Sequence, residues 1–323
     1  MKAITTASLC LTLITQAAYV TADTPATKAT STKATTQTIT SEDENFVPKP
    51  SSGHLIFTYF DKSEITNIPS VEAPESVQLD TSLKLPLGTS GEIDSGLWVY
   101  NFVLKEREFR FDDAAAVRRN SDDDHLKQRL YEINVPITYL IQNDNNSRWV
   151  FNVSPGVKSS LEYIGNDDLA ANAAIQYTSS VEGHGYNLGA AYTHRFGEGK
   201  LVPLINYSYK SGKYLSVILG FPYSRLSFAP TARQHYFAKL TPEGGSWHVY
   251  NQGDKDETFD FEQQAFRFGF GAEFNAFRAL WLGAEAGMQF GQELELDNES
   301  GERGTLELED SGYLQLTAKL RFR

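Results

Sequence analysis

The chain has 323 residues, with 41 acidic against 29 basic side chains and a formal net charge of -12. An acidic balance of that size argues against a nucleic-acid partner, and a single cysteine, Cys10, leaves no disulfide frame or thiolate metal site. Mean hydropathy is -0.37 and aromatics reach 12%, yet no apolar run beyond the N-terminal stretch is long enough for a spanning helix; a soluble β-protein or a β-barrel with alternating lipid-facing and inward residues remains.

At the start of the chain, Lys2 gives a basic beginning, residues from Ala3 to Val20 are mostly apolar or small, and Val20-Thr21-Ala22 offers a small-residue cleavage site. Residues 1–22 therefore read as a secretory signal peptide. Bulky Leu9 directly before Cys10, with little apolar sequence upstream, excludes a lipoprotein anchor. Residues 23–52 are rich in Thr, Ala, Ser and Lys, with almost no large apolar side chain before Phe46. Such a segment buries too little surface to offset its ordering entropy, which predicts a disordered tail acting as a spacer.

From residue 53 to 323, strand-like segments recur with turn chemistry between them. Val77, Leu79, Leu83 and Leu85 alternate with polar residues, as do Trp98, Tyr100, Phe102 and Leu104. Tyr131, Ile133, Val135, Ile137, Tyr139 and Ile141 form one face, and Asn143 to Ser147 reads as a turn. Trp149, Phe151 and Val153 follow, then Tyr186, Leu188 and Tyr192, then Leu201, Ile205, Tyr207 and Tyr209. Phe266, Phe268, Phe270 and Phe274 face one way, and Leu280, Leu282, Ala284, Ala286, Met288 and Phe290 return the chain. No helical pattern exists to cover these faces, so lipid is their natural cover.

The last stretch alternates strictly: Leu314, Leu316, Ala318, Leu320 and Phe322 on one face, Gln315, Thr317, Lys319 and Arg321 on the other. Tyr313, Leu320 and Phe322 resemble the sorting signal of bacterial outer-membrane β-barrels. That resemblance implies recognition of the C-terminal strand by the barrel-assembly machinery. Connections near 88–95, 143–147, 197–199 and 275–278 read as short, and those near 61–75, 111–125, 164–185, 243–261 and 293–311 as long and polar. The asymmetry fits a transmembrane antiparallel up-and-down β-barrel with short periplasmic turns and long external loops. Counting back from the final strand predicts about twelve strands, with ten to fourteen open because the stretch 221–251 is ambiguous. Tyr59, Tyr100, Tyr131, Trp149, Tyr163, Tyr192, Tyr209, Trp281 and Tyr313 fall toward strand ends, where aromatic girdles sit.

In this register the lumen face receives Glu132, Arg195, Arg267, Glu273, Glu285, Lys319 and Arg321. Charges of both signs serve either a selective constriction or a neutralising network that stiffens the interior. Acidic clusters at Asp112-Asp113, Asp122-Asp123-Asp124, Asp254 to Glu257 and Glu307 to Asp310 lack the spacing of a dedicated calcium loop and read as solvated external loops. His54, His125, His184, His194, His235 and His248 sit in no nucleophile or metal-binding motif, so no catalytic residue, metal or cofactor is assigned.

The sequence around Gly220-Phe221-Pro222-Tyr223, Pro230 and Leu240-Thr241-Pro242-Glu243-Gly244-Gly245-Ser246-Trp247 requires interrupted strand pairing. Together with the leader and the terminal strand, it resembles a family of outer-membrane barrels of unknown function in Gram-negative bacteria. The resemblance implies the barrel fold and an outer-membrane location; the tail is then expected in the periplasm, and outer-membrane lipid and lipopolysaccharide are the expected contacts. A passive, porin-like channel or transporter for a small solute is the expected activity. A structural, adhesive or surface-interaction barrel is the alternative, and a lipid-modifying enzyme comes third.

Overall fold

The structure is a computed structural model that describes residues 46–67, 75–92, 95–111, 126–143, 147–251, 254–298 and 303–321. The leader, the tail up to residue 45, Phe322, His125 and the acidic runs at Asp112 and Asp122 lie outside those residues. None of the described residues forms a helix long and apolar enough to cross a membrane.

Strands build the described chain: β1 (Gly53–Phe60), β2 (Ser63–Glu64), β3 (Glu75–Glu92), β4 (Gly96–Phe111), β5 (Leu126–Asn134), β6 (Ile137–Asn143), β7 (Ser147–Ser159), β8 (Leu169–Val181), β9 (His184–Thr193), β10 (Lys200–Ser211), β11 (Leu215–Phe221), β12 (Ser224–Thr231), β13 (Gln234–Asn251), β14 (Asp254–Phe277), β15 (Leu280–Asn298), β16 (Arg303–Leu308) and β17 (Ser311–Leu320). Pairing runs antiparallel around the sheet, and β1 meets β17 with His54 opposite Lys319 and Tyr59 opposite Leu314. The sheet therefore closes on itself. Three pairs of segments are single wall strands with a break: β1 and β2 both pair with β3, β5 and β6 both pair with β4 and β7 around Pro136, and β16 and β17 both pair with β15. Seventeen segments thus make a barrel of fourteen strands, the upper end of the expected range. At about 4.8 Å between strands and about 40° of tilt, it is roughly 28 Å across.

Strand β8 fills most of the stretch 164–185, which sequence alone reads as a loop. Its outward Leu169, Ala171 and Ala173 alternate with Ala170, Asn172 and Ala174, too weak a contrast to signal a strand. Likewise β13, β14, β15 and β16 occupy the stretches 243–261 and 293–311. The end carrying the start of β1 and the finish of β17 is termed the terminal end. Turn 197–199 lies at the opposite, far end, because β9 runs outward and β10 returns.

The polarity of the wall inverts along its height. Near the terminal end, Phe266, Phe268 and Phe270 of β14 and Ala284, Ala286 and Met288 of β15 point out, while Arg267, Glu285 and Gln289 point in. Toward the far end, Asp260, Glu262 and Gln264 point out and Phe261 points in. On β15 the change uses one extra residue at Gly291, whose φ of 59° suits glycine, so that Leu294 turns inward and Glu293 and Glu295 outward. Below the inversion, exposed side chains such as Phe57, Trp98, Phe151, Ile175, Leu188 and Ile205 form an apolar belt on wall after wall. Lipid covers such a belt; water would not.

Above the belt the barrel closes a second time. Ser159 at the end of β7 forms a parallel bridge to His248 of β13, bypassing β8 to β12, and Ile65 bridges Leu308. The resulting narrower ring encloses a dry core that includes Ile65, Phe109, Phe111, Leu130, Trp247 and Leu294. Each such side chain contributes about 1.5–3 kcal/mol on burial. At the terminal end, residues 46–52 lie across the opening. Phe46 N–H donates to Lys213 O at 2.9 Å and its ring meets Tyr214 at 5.5 Å, while Ser52 donates from N and Oγ to Leu320 O at 2.9 and 3.0 Å. The β10–β11 turn stands opposite β1 in the strand order, and seven extended residues reach roughly 23 Å. The sequence places these residues in a disordered tail; anchors at both ends make them a strap.

Candidate functional site

Inward side chains divide the interior into two unlike halves. On β13 to β17 and β1 to β4, glycines at inward positions leave room for neighbouring rings: a Cβ at Gly271 would overlap the Phe237 ring, and one at Gly269 the Tyr313 hydroxyl. Large residues therefore lie across this wall and fill it. At mid-height the opposite half, β7 to β11, presents Asn152, Asn172, Gln176, Asn187, Asn206 and Ser208 inward, neutral and partly exposed, with Arg148 and Lys210 toward the terminal end and the buried Lys158, Val202 and Leu204 toward the far end. Partial exposure on the inner face means that this half borders water-accessible space.

Three charged clusters occupy the packed half and its edge. Beneath the dry core, Arg107 donates from Nε to Asp80 at 3.0 Å and also to Gln263, and lies 5.4 Å from the Trp247 ring centre. Arg267 donates to Asp80 at 2.7 Å and to Gln289 at 2.7 Å, and stacks over Phe60. Nearer the terminal end, Glu285 accepts from Lys239 at 2.8 Å and from the Tyr313 hydroxyl. Glu273, 3% exposed, receives His235 at 2.9 Å, Lys319 at 2.5 Å and Arg321 at 2.6 Å. Toward the open half, Glu132 accepts from Lys105 at 2.9 Å and Asn134 at 2.7 Å. Desolvated carboxylates such as these are tolerable because each has charged partners and further donors.

Six of the seven charges assigned to the lumen from sequence thus point inward, and Arg267, Glu273, Glu285, Lys319 and Arg321 gather near the closing seam. Arg195 does not. Strand β9 ends at Thr193, and Arg195 lies exposed in the turn beyond it, where alternation no longer applies. Tyr313 and Trp281, assigned to the girdles, point inward and are 5% exposed; Trp281 stacks with Arg321. Tyr313 is thus an interior residue, Leu320 ends β17 as the acceptor for Ser52, and Phe322 is not described. Asp80, Lys84, Lys105, Arg107, Arg148, Lys158, Lys210, Arg225, Lys239 and Glu243 were missed. Extending the alternation of Trp98 to Leu104 by two steps would have found Lys105 and Arg107 on the opposite face.

Among the described residues no group of three His, Cys, Asp or Glu side chains is placed to hold a metal ion. His54 lies 3.4 Å from Ser82 Oγ, but its strand neighbours are Lys84 and Lys319 rather than a carboxylate that would orient it. His184 meets Tyr207, His194 meets Asn172 and His248 meets Asp260. Glu307, Glu309 and Asp310 are exposed at the far end.

No protein-family model matches the chain, and no curated protein does. Among solved structures, the barrel is similar to the deltaS2 mutant of the TodX monoaromatic hydrocarbon channel, with 8% identity over 85% of this chain and 91% of that chain and a TM-score of 0.43. The beta domain of the Bordetella autotransporter BrkA shares 10% identity over 84% of this chain and all of its own, with a TM-score of 0.32. A mutant porin of Rh. blastica shares 8% identity over 81% and 99% of the two chains, with a TM-score of 0.24.

Proposed function

We propose that the protein is a bacterial outer-membrane channel that passes a small solute through the open half of its barrel. The observation that carries this is the division of the interior: at mid-height, neutral, partly exposed residues on β7 to β11 face a packed and charge-paired wall. A fully plugged barrel would carry bulky residues on both sides. The described turns of the terminal end are short, which supports placing that end and the tail in the periplasm, and the outward Leu314, Leu316 and Ala318 of β17 face lipid. Recognition of β17 by the assembly machinery and contact of the far end with lipopolysaccharide belong to the same reading, which assigns no catalytic step and no cofactor.

The dry core supports a second reading. It closes the axis of the barrel at the far end, and the strap crosses the terminal end. With both ends obstructed, the barrel would serve as a structural or surface-interaction protein. Under the channel reading the solute passes beside the core, where the β7–β13 bridge leaves β8 to β12 as a lower wall. Single-channel recording in planar bilayers decides between them. Discrete conductance steps from the folded protein support the channel; a silent bilayer supports the structural barrel.

A further inference from the structure

We propose that the solute is a small anion, held on its way through the barrel by Arg225, Lys239, Lys319 and Arg321 near the terminal end; this rests on the channel reading above. The whole chain is acidic, at -12, but its interior is not. Among the described residues, five acids face inward: Asp80, Glu132, Glu243, Glu273 and Glu285. Six bases, Lys105, Arg107, Lys239, Arg267, Lys319 and Arg321, form close ion pairs with them. Five more inward bases, Lys84, Arg148, Lys158, Lys210 and Arg225, have no described carboxylate within 4.0 Å. Surplus positive charge therefore runs the height of the interior. Lys158 lies toward the far end, and Arg148 and Lys210 lie at the terminal end.

The surplus is densest around Phe237. Arg225 stacks over its ring at 4.4 Å, and the Lys239 and Lys319 ammonium groups lie 6.0 and 5.9 Å from its centre. With Arg321, four cations stand beside two carboxylates: Lys239 pairs with Glu285, Lys319 and Arg321 share Glu273, and Arg225 pairs with neither. Donors are left over as well. Nη2 of Arg225 and Nε and Nη1 of Arg321 are buried without a hydrogen-bond acceptor, and Arg321 as a whole is 8% exposed. Buried donors without acceptors are costly, and a carboxylate or phosphate oxygen is the group that would satisfy them. The neutral amides of the facing half solvate an anion without competing for it.

The test uses the full-length mature protein, shown to be folded by heat-modifiable mobility, in planar bilayers under a KCl gradient at low salt. A reversal potential of the sign for chloride over potassium is expected. One unit charge about 7 Å away in water changes the local anion concentration by about threefold, so Arg225→Gln, which breaks no ion pair, should lower the anion-to-cation permeability ratio by about that factor, and Arg225→Lys should keep it. Inorganic phosphate should reduce the chloride current in the parent and less so in Arg225→Gln. If Arg225→Gln fails to fold, Lys84→Gln takes its place with the same expected direction. Absence of conductance from folded protein would overturn the channel reading and this inference with it. Conductance that prefers cations, is unselective, or ignores both substitutions would leave the channel standing and overturn the anion.

Discussion

Charge placed on the outer wall should be expensive, and the same charge on the open inner wall should not. Phe270 is 62% exposed at the middle of the outward run Phe266 to Phe274, with its ring 4.9 Å from that of Phe268. Phe270→Arg brings a guanidinium to the bilayer midplane, at a cost of about 2–4 kcal/mol. That cost is roughly 30- to 1000-fold in the folding equilibrium. Leu282 also faces out, but only two residues after β15 begins, so Leu282→Arg lies near the interface and should cost about 0–1 kcal/mol. Gln176 faces the open half, between Val150 and Gly189, and Gln176→Arg should fall within about 1 kcal/mol of the parent. From sequence alone, Gln289 or Thr317 would serve as the inner control. The structure rules both out, because Gln289 is 0% and Thr317 8% exposed within the packed half. Urea titrations of folding into lipid vesicles, followed by tryptophan fluorescence and gel mobility, give the three free energies. A Gln176→Arg cost equal to that of Phe270→Arg would refute the face assignment and with it the open half.

Glu273→Gln leaves Lys319 and Arg321 without their shared carboxylate and should destabilise the barrel by about 3–5 kcal/mol in the same titration; combined with Glu285→Gln, it should also move the reversal potential further toward anions. Leu294→Ala in the dry core should cost about 2–5 kcal/mol while leaving unit conductance unchanged, since the solute passes beside that core; a changed conductance would place the route through it. Phe46→Ala removes the ring that meets Tyr214, so the strap should become cleavable by added protease in the folded protein at low enzyme-to-substrate ratio. Glu262 lies above the apolar belt, and burial, with Glu198 and Glu295 nearby, holds its carboxyl above the usual range. A raised acid favours the folded state at low pH and loses that advantage as pH rises, so Glu262→Gln should stabilise the protein at pH 7, with the gain vanishing below the ordinary glutamate range.

The period of two along each wall was written in the sequence. Phe266 to Phe274, Leu280 to Met288 and Leu314 to Ala318 have an apolar face whatever they pair with, because successive side chains of a strand must point to opposite sides. Absence of helical pattern to cover those faces was enough to infer a barrel, and the inward phase of Glu132, Arg267, Glu273, Glu285, Lys319 and Arg321 followed from it. The height at which water replaces lipid was not legible. Beyond Gln264 on β14, and past the extra residue at Gly291 on β15, polar residues turn outward and apolar ones inward, so the same strands read as loops. Nor could the sequence show that Ser159 meets His248, that residues 46–52 reach the β10–β11 turn, or that Asp80, Arg107 and Arg267 converge from β3, β4 and β14. Alternation is a local property of a strand. Which inward side chains touch depends on closure of the barrel, on a phase shift at one glycine and on where one wall is short, and those are fixed only when all fourteen strands are assembled.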